Sequence, residues 1–375
     1  MEPSIYSFSL CIALPLMLFF GFYFLFAKTP EKKIFENYLR SRRMMGVALL
    51  LLAANYSVHF FLGIRFENVN SAILMNLSTY FLCYYLFSSA MITLLDRFYI
   101  TLKRSWTHII LWVIFSILSG VVLLLPGGTM QKIGLLVLAA WLVIYGLMLA
   151  RRVIVAYRRA VRIFGDTHAD DIGAYIEWLS IFTYWALIFG VGCGLLTFLP
   201  DKYVFIWILS SIPLYSYLFY SYQNYLLFYE QVENAFEQDI QSEEKLLTDT
   251  ETEPEIVSGE EVPVSYTEII EKVDNWIKAD GYVQQGLTIK ELSEILHTNR
   301  TYLSAYIKTT YKMTFREWIT SLRLEYAKNI LKKHPEINIQ KLAESSGFLS
   351  RSNFIKLFSE KEGCTPAKWK KANRE

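Results

Sequence analysis

Two short stretches near the end of the 375-residue chain place basic and hydroxyl side chains on one face of a predicted helix. Arg and Lys side chains can donate hydrogen bonds to O6 and N7 of guanine, whereas Ser and Thr contact base edges less selectively. The chemistry that these residue types can perform is therefore the recognition of double-stranded DNA. The competing interpretation is that they form only a solvated helix face.

The first stretch is RTYLSAYIK, residues 300–308. Its apolar spacing predicts a helix that is buried through Leu303 and Ile307. We expect Lys308 to bind phosphate, a contact that positions a protein on DNA without reading the base sequence. The leading exposed surface of this helix would consist of Arg300, Thr301, Ser304 and Ala305.

The second stretch is SRSNFIKLF, residues 350–358, where Phe354 and Phe358 are predicted to point inward. We expect Asn353 to bind phosphate. The exposed surface would consist of Ser350, Arg351, Ser352, Ile355 and Lys356. Because this helix presents both an arginine and a lysine, we expect it to discriminate bases more sharply than the first.

Each stretch follows a shorter amphipathic pattern across a tight turn. The two tandem segments are LTIKELSEILHTNRTYLSAYIK, residues 287–308, and INIQKLAESSGFLSRSNFIKLF, residues 337–358. Their leading helices and turns contain Ile289, Leu292, Leu296, Ile339 and Leu342 as inward positions, Ala343 at the helix crossing and Gly347 at the turn. Two short helices joined by such a turn form a helix-turn-helix. The pattern FREWITSLRLEYAKNILKK, residues 315–333, predicts a long helix between the two copies.

With these motifs in place, residues 266–371 resemble the DNA-binding domain of the AraC/XylS family of bacterial transcription regulators. The matching residues are Arg323, Leu324, Ala327, Ala343, Gly347, Phe348, Phe354, Phe358, Gly363, Thr365 and Pro366. The resemblance implies a seven-helix domain whose two recognition helices enter successive major-groove turns on one face of the DNA. Three positions depart from the family: Lys312 replaces a usual glycine, Ser293 a usual alanine, and Trp369 a frequent tyrosine.

Seven long apolar runs occupy most of the first 228 residues. They are 5–27, 44–63, 71–95, 107–125, 133–150, 174–199 and 203–228. A helix needs about 20 apolar residues to cross the roughly 30 Å hydrocarbon core of a bilayer. Hydrophobic residues make up 53% of the chain and charged residues only 19%, which is not typical of a soluble protein. The first run has no basic residue ahead of it and does not resemble a cleavable signal peptide. The fold class that we predict is all-α, with a seven-span transmembrane helical bundle followed by a cytoplasmic seven-helix domain.

The basic residues of the predicted loops are distributed unevenly. Loops 28–43, 96–106 and 151–173 hold fourteen Lys and Arg residues, whereas the alternate loops hold only Arg65, Lys132 and Lys202. Because basic loops stay on the cytoplasmic side, the N-terminus is predicted outside and the C-terminus inside. This orientation places the DNA-binding domain in the cytoplasm, at the inner membrane of a bacterium.

Four polar residues fall at one depth of the predicted bundle. They are Asn55, His59, Asn76 and Tyr80, in the outer halves of the second and third runs. Polar groups within a bilayer usually face the bundle interior. They form either interhelical hydrogen bonds that hold the bundle together or a pocket that senses a small-molecule or envelope signal.

An acidic segment separates the two halves of the chain. Lys and Arg outnumber Asp and Glu by 17 to 10 in residues 1–229, but the ratio is 1 to 12 in residues 230–261. An apolar stripe suggests that the last span projects beyond the bilayer as a helix, and that this helix pairs in a homodimer. The stripe consists of Tyr225, Tyr229, Val232, Phe236 and Ile240. The following 241–263 is polar and predicts a disordered linker.

The predicted layout therefore has three parts: a transmembrane sensor or anchor at 1–228, a projecting helix with an acidic linker at 229–264, and a DNA-binding domain at 265–375. Phosphate loops, HExxH and serine-nucleophile motifs are absent from the sequence, and the four cysteines form no CxxC pair. We therefore expect no catalytic residue, metal site or cofactor. Three functions remain open: a one-component transcription regulator with a membrane sensor, a DNA-binding module on a passive membrane anchor, and a transporter with a regulatory tail.

The loop charges generate a direct test of topology. A cytoplasmic reporter fused after residue 265 should be active, and a reporter that works only outside the cytoplasm should be silent there. The same pair of reporters in the loop near Lys132 should give the opposite result. An external position for residue 265 would rule out access to DNA.

Overall fold

The computed structural model describes residues 5–126, 128–170, 172–196, 201–251 and 266–372. These residues are all-helical and contain fifteen α-helices and no β-strand. They fall into two compact units. The first unit contains the chain up to residue 159 together with residues 176–230, and the second contains residues 160–175 together with the chain after residue 230.

Eight helices begin before the acidic segment. They are α1 (Ile5–Phe26), α2 (Glu36–Leu62), α3 (Ile64–Glu67), α4 (Val69–Thr93), α5 (Leu102–Leu124), α6 (Thr129–Thr167), α7 (Glu177–Leu196) and α8 (Asp201–Glu251). Short 3-10 turns precede α2 and α7, at Lys33–Phe35 and Ile172–Ile176. Each of the seven apolar runs predicted from the sequence coincides with a long helix of this set.

Five of the described helical segments are long and apolar enough to cross a membrane. They are Ile5–Phe26, Lys33–Leu62, Leu102–Leu124, Thr129–Thr167 and Tyr203–Glu230. The helix α4, at the third predicted run, is not among them, because Asn, Ser, Thr and Tyr are interspersed through its sequence. At the sixth run, the structure describes the side chains of the apolar segment Glu177–Phe189, which is part of the 20-residue helix α7. The count of seven spans therefore stays a prediction.

The first unit packs closely through small residues and aromatic rings. A Cβ atom on Gly21 would lie 2.6 Å from Leu50 Cδ2, so α1 and α2 approach each other closely at this point. Deeper in the unit, the Phe81 and Tyr145 rings stack with centroids 4.0 Å apart. Phe115 stacks on Phe81 at 4.7 Å and is fully buried. These contacts join α4, α5 and α6 into one core.

The helix α8 is longer than the sequence analysis predicted. It continues without interruption to Glu251, so the prediction of a disordered linker is wrong for residues 241–251. This part contains Glu, Gln, Lys and Leu, which are good helix formers, and no Gly or Pro. The rest of the predicted linker, residues 252–264, lies outside the described residues.

The apolar stripe on α8 is not a free surface for pairing. Tyr225 and Tyr229 are buried in the first unit, where the Tyr229 ring lies 5.4 Å from the ring of Tyr38. Val232 is also fully buried within the chain. The predicted dimer stripe is therefore wrong for these three residues, because their partners come from the same chain. The surroundings of the Phe236 and Ile240 side chains are outside what the structure describes.

Seven further helices lie in residues 266–372, the number that the resemblance implies. They are α9 (Tyr266–Lys278), α10 (Ile289–Ile295), α11 (Arg300–Tyr311), α12 (Phe315–Lys333), α13 (Ile339–Ser345), α14 (Arg351–Glu362) and α15 (Pro366–Ala372). A 3-10 turn at Gly281–Val283 follows α9. Separate apolar cores form around α10 and α11 and around α13 and α14, and α12 contributes residues to both.

Candidate nucleic-acid interface

The first helix-turn-helix consists of α10 and α11, and side-chain caps define where each helix begins. Thr288 Oγ1 accepts a hydrogen bond from the Glu291 backbone N–H, and the Glu291 carboxylate accepts one from the Thr288 N–H. This capping box starts α10. Asn299 Oδ1 accepts from the Tyr302 N–H at 2.7 Å and starts α11.

The buried face of α11 is the one predicted from the sequence. Leu303 and Ile307 are buried, together with Tyr306. The predicted DNA-facing residues all lie at least partly at the surface: Thr301, Ala305 and Lys308 are exposed, and Arg300 and Ser304 are half-buried. The Lys308 side chain is already paired, because its Nζ lies 2.9 Å from Asp166 Oδ2.

The second helix-turn-helix consists of α13 and α14. Ser350 caps α14 by accepting a hydrogen bond from the Asn353 N–H at 3.2 Å. Gly347 adopts φ +84° in the turn, and a Cβ atom there would lie 2.5 Å from the Val283 carbonyl oxygen. Because any larger residue would collide with backbone, only glycine fits this turn without distortion.

The exposed face of α14 carries most of the predicted base-reading residues. Arg351, Ser352 and Lys356 are exposed, and Asn353 is half-buried. Ile355 was expected at the surface, but it is only partly accessible and packs against the core of the second motif. Arg351 and Lys356, the two basic residues that the sequence analysis placed on this surface, are therefore both exposed.

The long helix α12 joins the two motifs and contains a buried arginine. The Arg323 guanidinium is 1% exposed and pairs with Asp170 at 2.9 Å. It also donates to the carbonyl oxygens of Tyr282 at 2.8 Å and Gln284 at 2.6 Å. Burial lowers the pKa of Arg323, and the Asp170 charge opposes that shift. Sequence reasoning missed the Asp170 and Asp166 contacts, because both carboxylates lie far from their partners along the chain.

The three departures from the family pattern have local structural consequences. Lys312 ends α11 in the left-handed conformation, with φ +58°. Ser293 is buried and satisfies its hydroxyl by donating to the Lys290 carbonyl at 2.7 Å. The Trp369 ring packs edge-on against Phe358, with centroids 6.1 Å apart.

The four polar residues predicted at one depth of the first unit are brought together. His59 Nε2 lies 2.8 Å from Asn76 Oδ1, and its Nδ1 lies 3.0 Å from the Tyr6 hydroxyl. Asn55 donates to Thr79 Oγ1 at 3.1 Å. All four predicted residues, Asn55, His59, Asn76 and Tyr80, line a cavity of about 30 Å³.

A larger cavity lies next to this polar cluster. Its volume is about 120 Å³, and its walls are mainly apolar and aromatic. Tyr80 lines both cavities. Other lining residues are Cys83, Phe87, Ala150, Phe182 and Trp207. Among the residues that the structure describes, no group of three His, Cys, Asp or Glu side chains could hold a metal ion.

Comparison with known proteins agrees with the geometry of the second unit. The family described as "Helix-turn-helix domain" matches residues 292–372. This part of the chain is an AraC-type helix-turn-helix domain.

Curated relatives match the same part of the chain. The uncharacterized HTH-type transcriptional regulator YtdP of Bacillus subtilis is 31% identical over 91 residues, which are 24% of this chain and 12% of that protein. YobQ of the same organism, also an uncharacterized HTH-type transcriptional regulator, is 33% identical over 86 residues, 23% of this chain and 35% of that protein.

A relative with a named operon is the raffinose operon transcriptional regulatory protein RafR of Pediococcus pentosaceus. It is 29% identical over 115 residues, which are 29% of this chain and 41% of that protein. The chain thus spans less than half the length of each of these three relatives. No solved structure matches it significantly.

The left-handed Lys312 generates a test of stability. Lys312→Gly should raise the free energy of unfolding of the second unit by about 1 kcal/mol, because a Cβ atom is disfavoured at this φ. The measurement is urea unfolding followed by Trp fluorescence. Lys361→Gly is the control, because it removes a lysine from the last turn of α14 and should destabilise. An equal loss of stability in both variants would contradict the expectation.

Proposed function

We propose that the chain is a membrane-embedded one-component transcription regulator, which binds specific DNA sequences through two helix-turn-helix motifs under control of a transmembrane signal. The observation that carries this proposal is the pair of capped, exposed recognition helices, α11 and α14, in one AraC-type domain. The family and the relatives' names point to DNA-binding regulation rather than to an enzyme.

The surface of the first unit supports embedding in a lipid bilayer. Of the 23 residues of α5, only His108, Phe115 and Ser119 are buried. The remaining surface is strongly apolar, with side chains such as Ile117 and Leu124 mostly exposed. A soluble protein rarely exposes so continuous an apolar face. The positive loops favour the cytoplasmic membrane of a bacterium, with the N-terminus outside and the C-terminal domain inside.

The adjoining cavities support a sensing role for the first unit. An apolar cavity with a few converging polar groups is the usual form of a small-molecule site. Tyr80, shared by both cavities, would connect such a ligand to the His59–Asn76 hydrogen bond. The partners that we propose are therefore double-stranded DNA, membrane lipid and a small apolar or amphiphilic signal, with no cofactor.

The exposed face of α14 generates a test of base reading. Arg351→Ala and Lys356→Ala should each cost about 1–3 kcal/mol on the best site and relax base preference locally. Thr301→Ala and Ser304→Ala on α11 should cost less, because a hydroxyl is less selective among bases. The measurement is a titration of the full chain against a randomised site library at fixed salt.

One pattern of results would reverse this assignment. If the two α14 variants kept wild-type base preference while Thr301→Ala or Ser304→Ala lost it, α11 would be the principal reader. Lys361→Ala is the control, because it removes an exposed lysine from the last turn of α14, outside the predicted base-reading set.

Filling the larger cavity tests whether the first unit senses or only anchors. Ala150→Phe would occupy the cavity, whereas Leu147→Phe on the exposed side of the same helix would not. In cells that carry a reporter at a mapped binding site, Ala150→Phe should fix expression at one level across growth conditions. Leu147→Phe should keep the wild-type response. A wild-type response in both variants, at equal protein levels, would favour a passive anchor.

A further inference from the structure

The last turns of α6 and the residues between α6 and α7 pack against the first helix-turn-helix. His168 forms an isolated antiparallel bridge with Thr288, the capping residue of α10. Next to it, the Ala169 N–H donates to the Leu287 carbonyl oxygen at 3.0 Å. Ala169 is buried in the same apolar cluster as Leu292. The segment, residues 160–175, thus adds backbone and side-chain contacts to the DNA-binding unit, although it is distant in sequence.

Asp170 completes a polar site that belongs to the DNA-binding unit. One carboxylate oxygen accepts from Arg323 Nη1 at 2.9 Å, and the other accepts from the Gly286 N–H at 2.9 Å. A buried guanidinium is costly without an opposite charge. Asp170 is the carboxylate that pairs with Arg323 within the described part of the chain. This contact fixes the segment on the surface between α10 and α12.

Asp166 pairs with the lysine that was expected to bind DNA phosphate. Its Oδ2 accepts from Lys308 Nζ at 2.9 Å, and Lys308 lies on the exposed face of α11. Asp166 also stands in the last turn of α6, where a negative charge is unfavourable with respect to the helix dipole. Pairing with Lys308 offsets that cost. A lysine held by a carboxylate cannot at the same time neutralise a phosphate, and the carboxylate itself repels DNA.

We propose that residues 160–175 are an intramolecular docking segment, which binds the first helix-turn-helix through Asp170 and blocks its phosphate contact through Asp166. This inference rests on the proposed DNA-binding function. The Asp166–Lys308 pair is partly exposed and screened by salt, so phosphate can replace it. The segment comprises the end of α6 and the residues that lead to α7, and both helices line the larger cavity. A signal that moved these helices would act on α11 without passing through residues 231–265.

The first experiment removes the Asp166–Lys308 ion pair. The full chain in lipid nanodiscs is titrated into a labelled duplex of random sequence at low salt. Asp166→Asn should tighten binding several-fold, and the slope of log affinity against log salt should steepen by about 0.9, the value for one more phosphate contact. The control is Asp274→Asn, which removes the same charge from an exposed position on α9 of the same unit. Both its affinity and its salt slope should stay closer to those of the wild type.

A double variant separates direct release from a general charge effect. Because Asp166 acts through Lys308, Asp166→Asn should give no gain in affinity when Lys308→Ala is already present. A full gain in that background would overturn the proposal.

The second experiment cross-links the docking segment to the first helix-turn-helix at the His168–Thr288 pair. The pattern of the Ala169–Leu287 hydrogen bond makes His168 and Thr288 a non-hydrogen-bonded pair, whose Cα atoms are typically about 4.5 Å apart. This separation suits a disulfide. With the native cysteines replaced, His168→Cys/Thr288→Cys should oxidise readily. The oxidised form should bind the duplex at least several-fold more weakly, and reduction should restore affinity. The two single-cysteine variants control for the substitutions themselves.

The outcomes distinguish this inference from the function on which it rests. If neither the wild type nor Asp166→Asn binds duplex DNA at low salt, the proposed function fails. If the wild type binds but Asp166→Asn behaves as Asp274→Asn does, the docking segment does not compete with DNA and the inference is overturned. It is also overturned if the disulfide does not form, or forms without changing affinity.

Discussion

The guanidinium of Arg323 is the point where the separate parts of the second unit meet. It donates to the carbonyl groups of Tyr282 and Gln284, which precede the first helix-turn-helix. On its other side it lies 5.8 Å from the centre of the Phe348 ring, in the turn of the second motif. A Cβ atom on Gly347 would lie 2.9 Å from its Nε. Because a buried cation must keep its acceptors, these segments cannot move independently of α12.

This constraint matters for DNA recognition, because the two recognition helices belong to different apolar cores. A regulator that places two helices in successive major-groove turns needs a fixed distance between them. In the proposed regulator α12 would set that distance, since Ile319 packs in the first core and Leu324 in the second. Arg323 lies between these two residues and ties both turns to the helix. The same arginine also pairs with Asp170. The proposed docking segment therefore binds at Arg323, the residue that ties both turns to α12.

The first unit depends on a different balance of forces. Its core consists of stacked aromatic rings and close helix crossings, while much of its outer surface is apolar. Within such a bundle the His59–Asn76 hydrogen bond satisfies groups that would be costly to leave unpaired. The neighbouring cavity is the place where the packing is incomplete, and therefore where an apolar ligand would cost the least rearrangement. In the proposed regulator, the signal would bind where the packing of the first unit is incomplete, and the response would act through the Asp166–Lys308 ion pair.

The sequence by itself determined the helices and their inward faces, because these follow from residues close together in the chain. The caps at Asn299 and Ser350 join residues three positions apart, and the turn at Gly347 is marked by the glycine itself. The seven apolar runs were equally visible, although the extent of α8 was not, since acidic polar sequences can be disordered or helical.

Only the tertiary structure decided what those helices contact. Asp166 and Lys308 are 142 positions apart, and Asp170 and Arg323 are 153 positions apart. No local spacing tells a carboxylate which distant cation it will meet. The burial of Tyr225 and Tyr229 against their own chain, rather than against a second copy, was decided in the same way. Periodicity specifies which face of a helix is apolar, whereas the partner of that face depends on how the whole chain is packed.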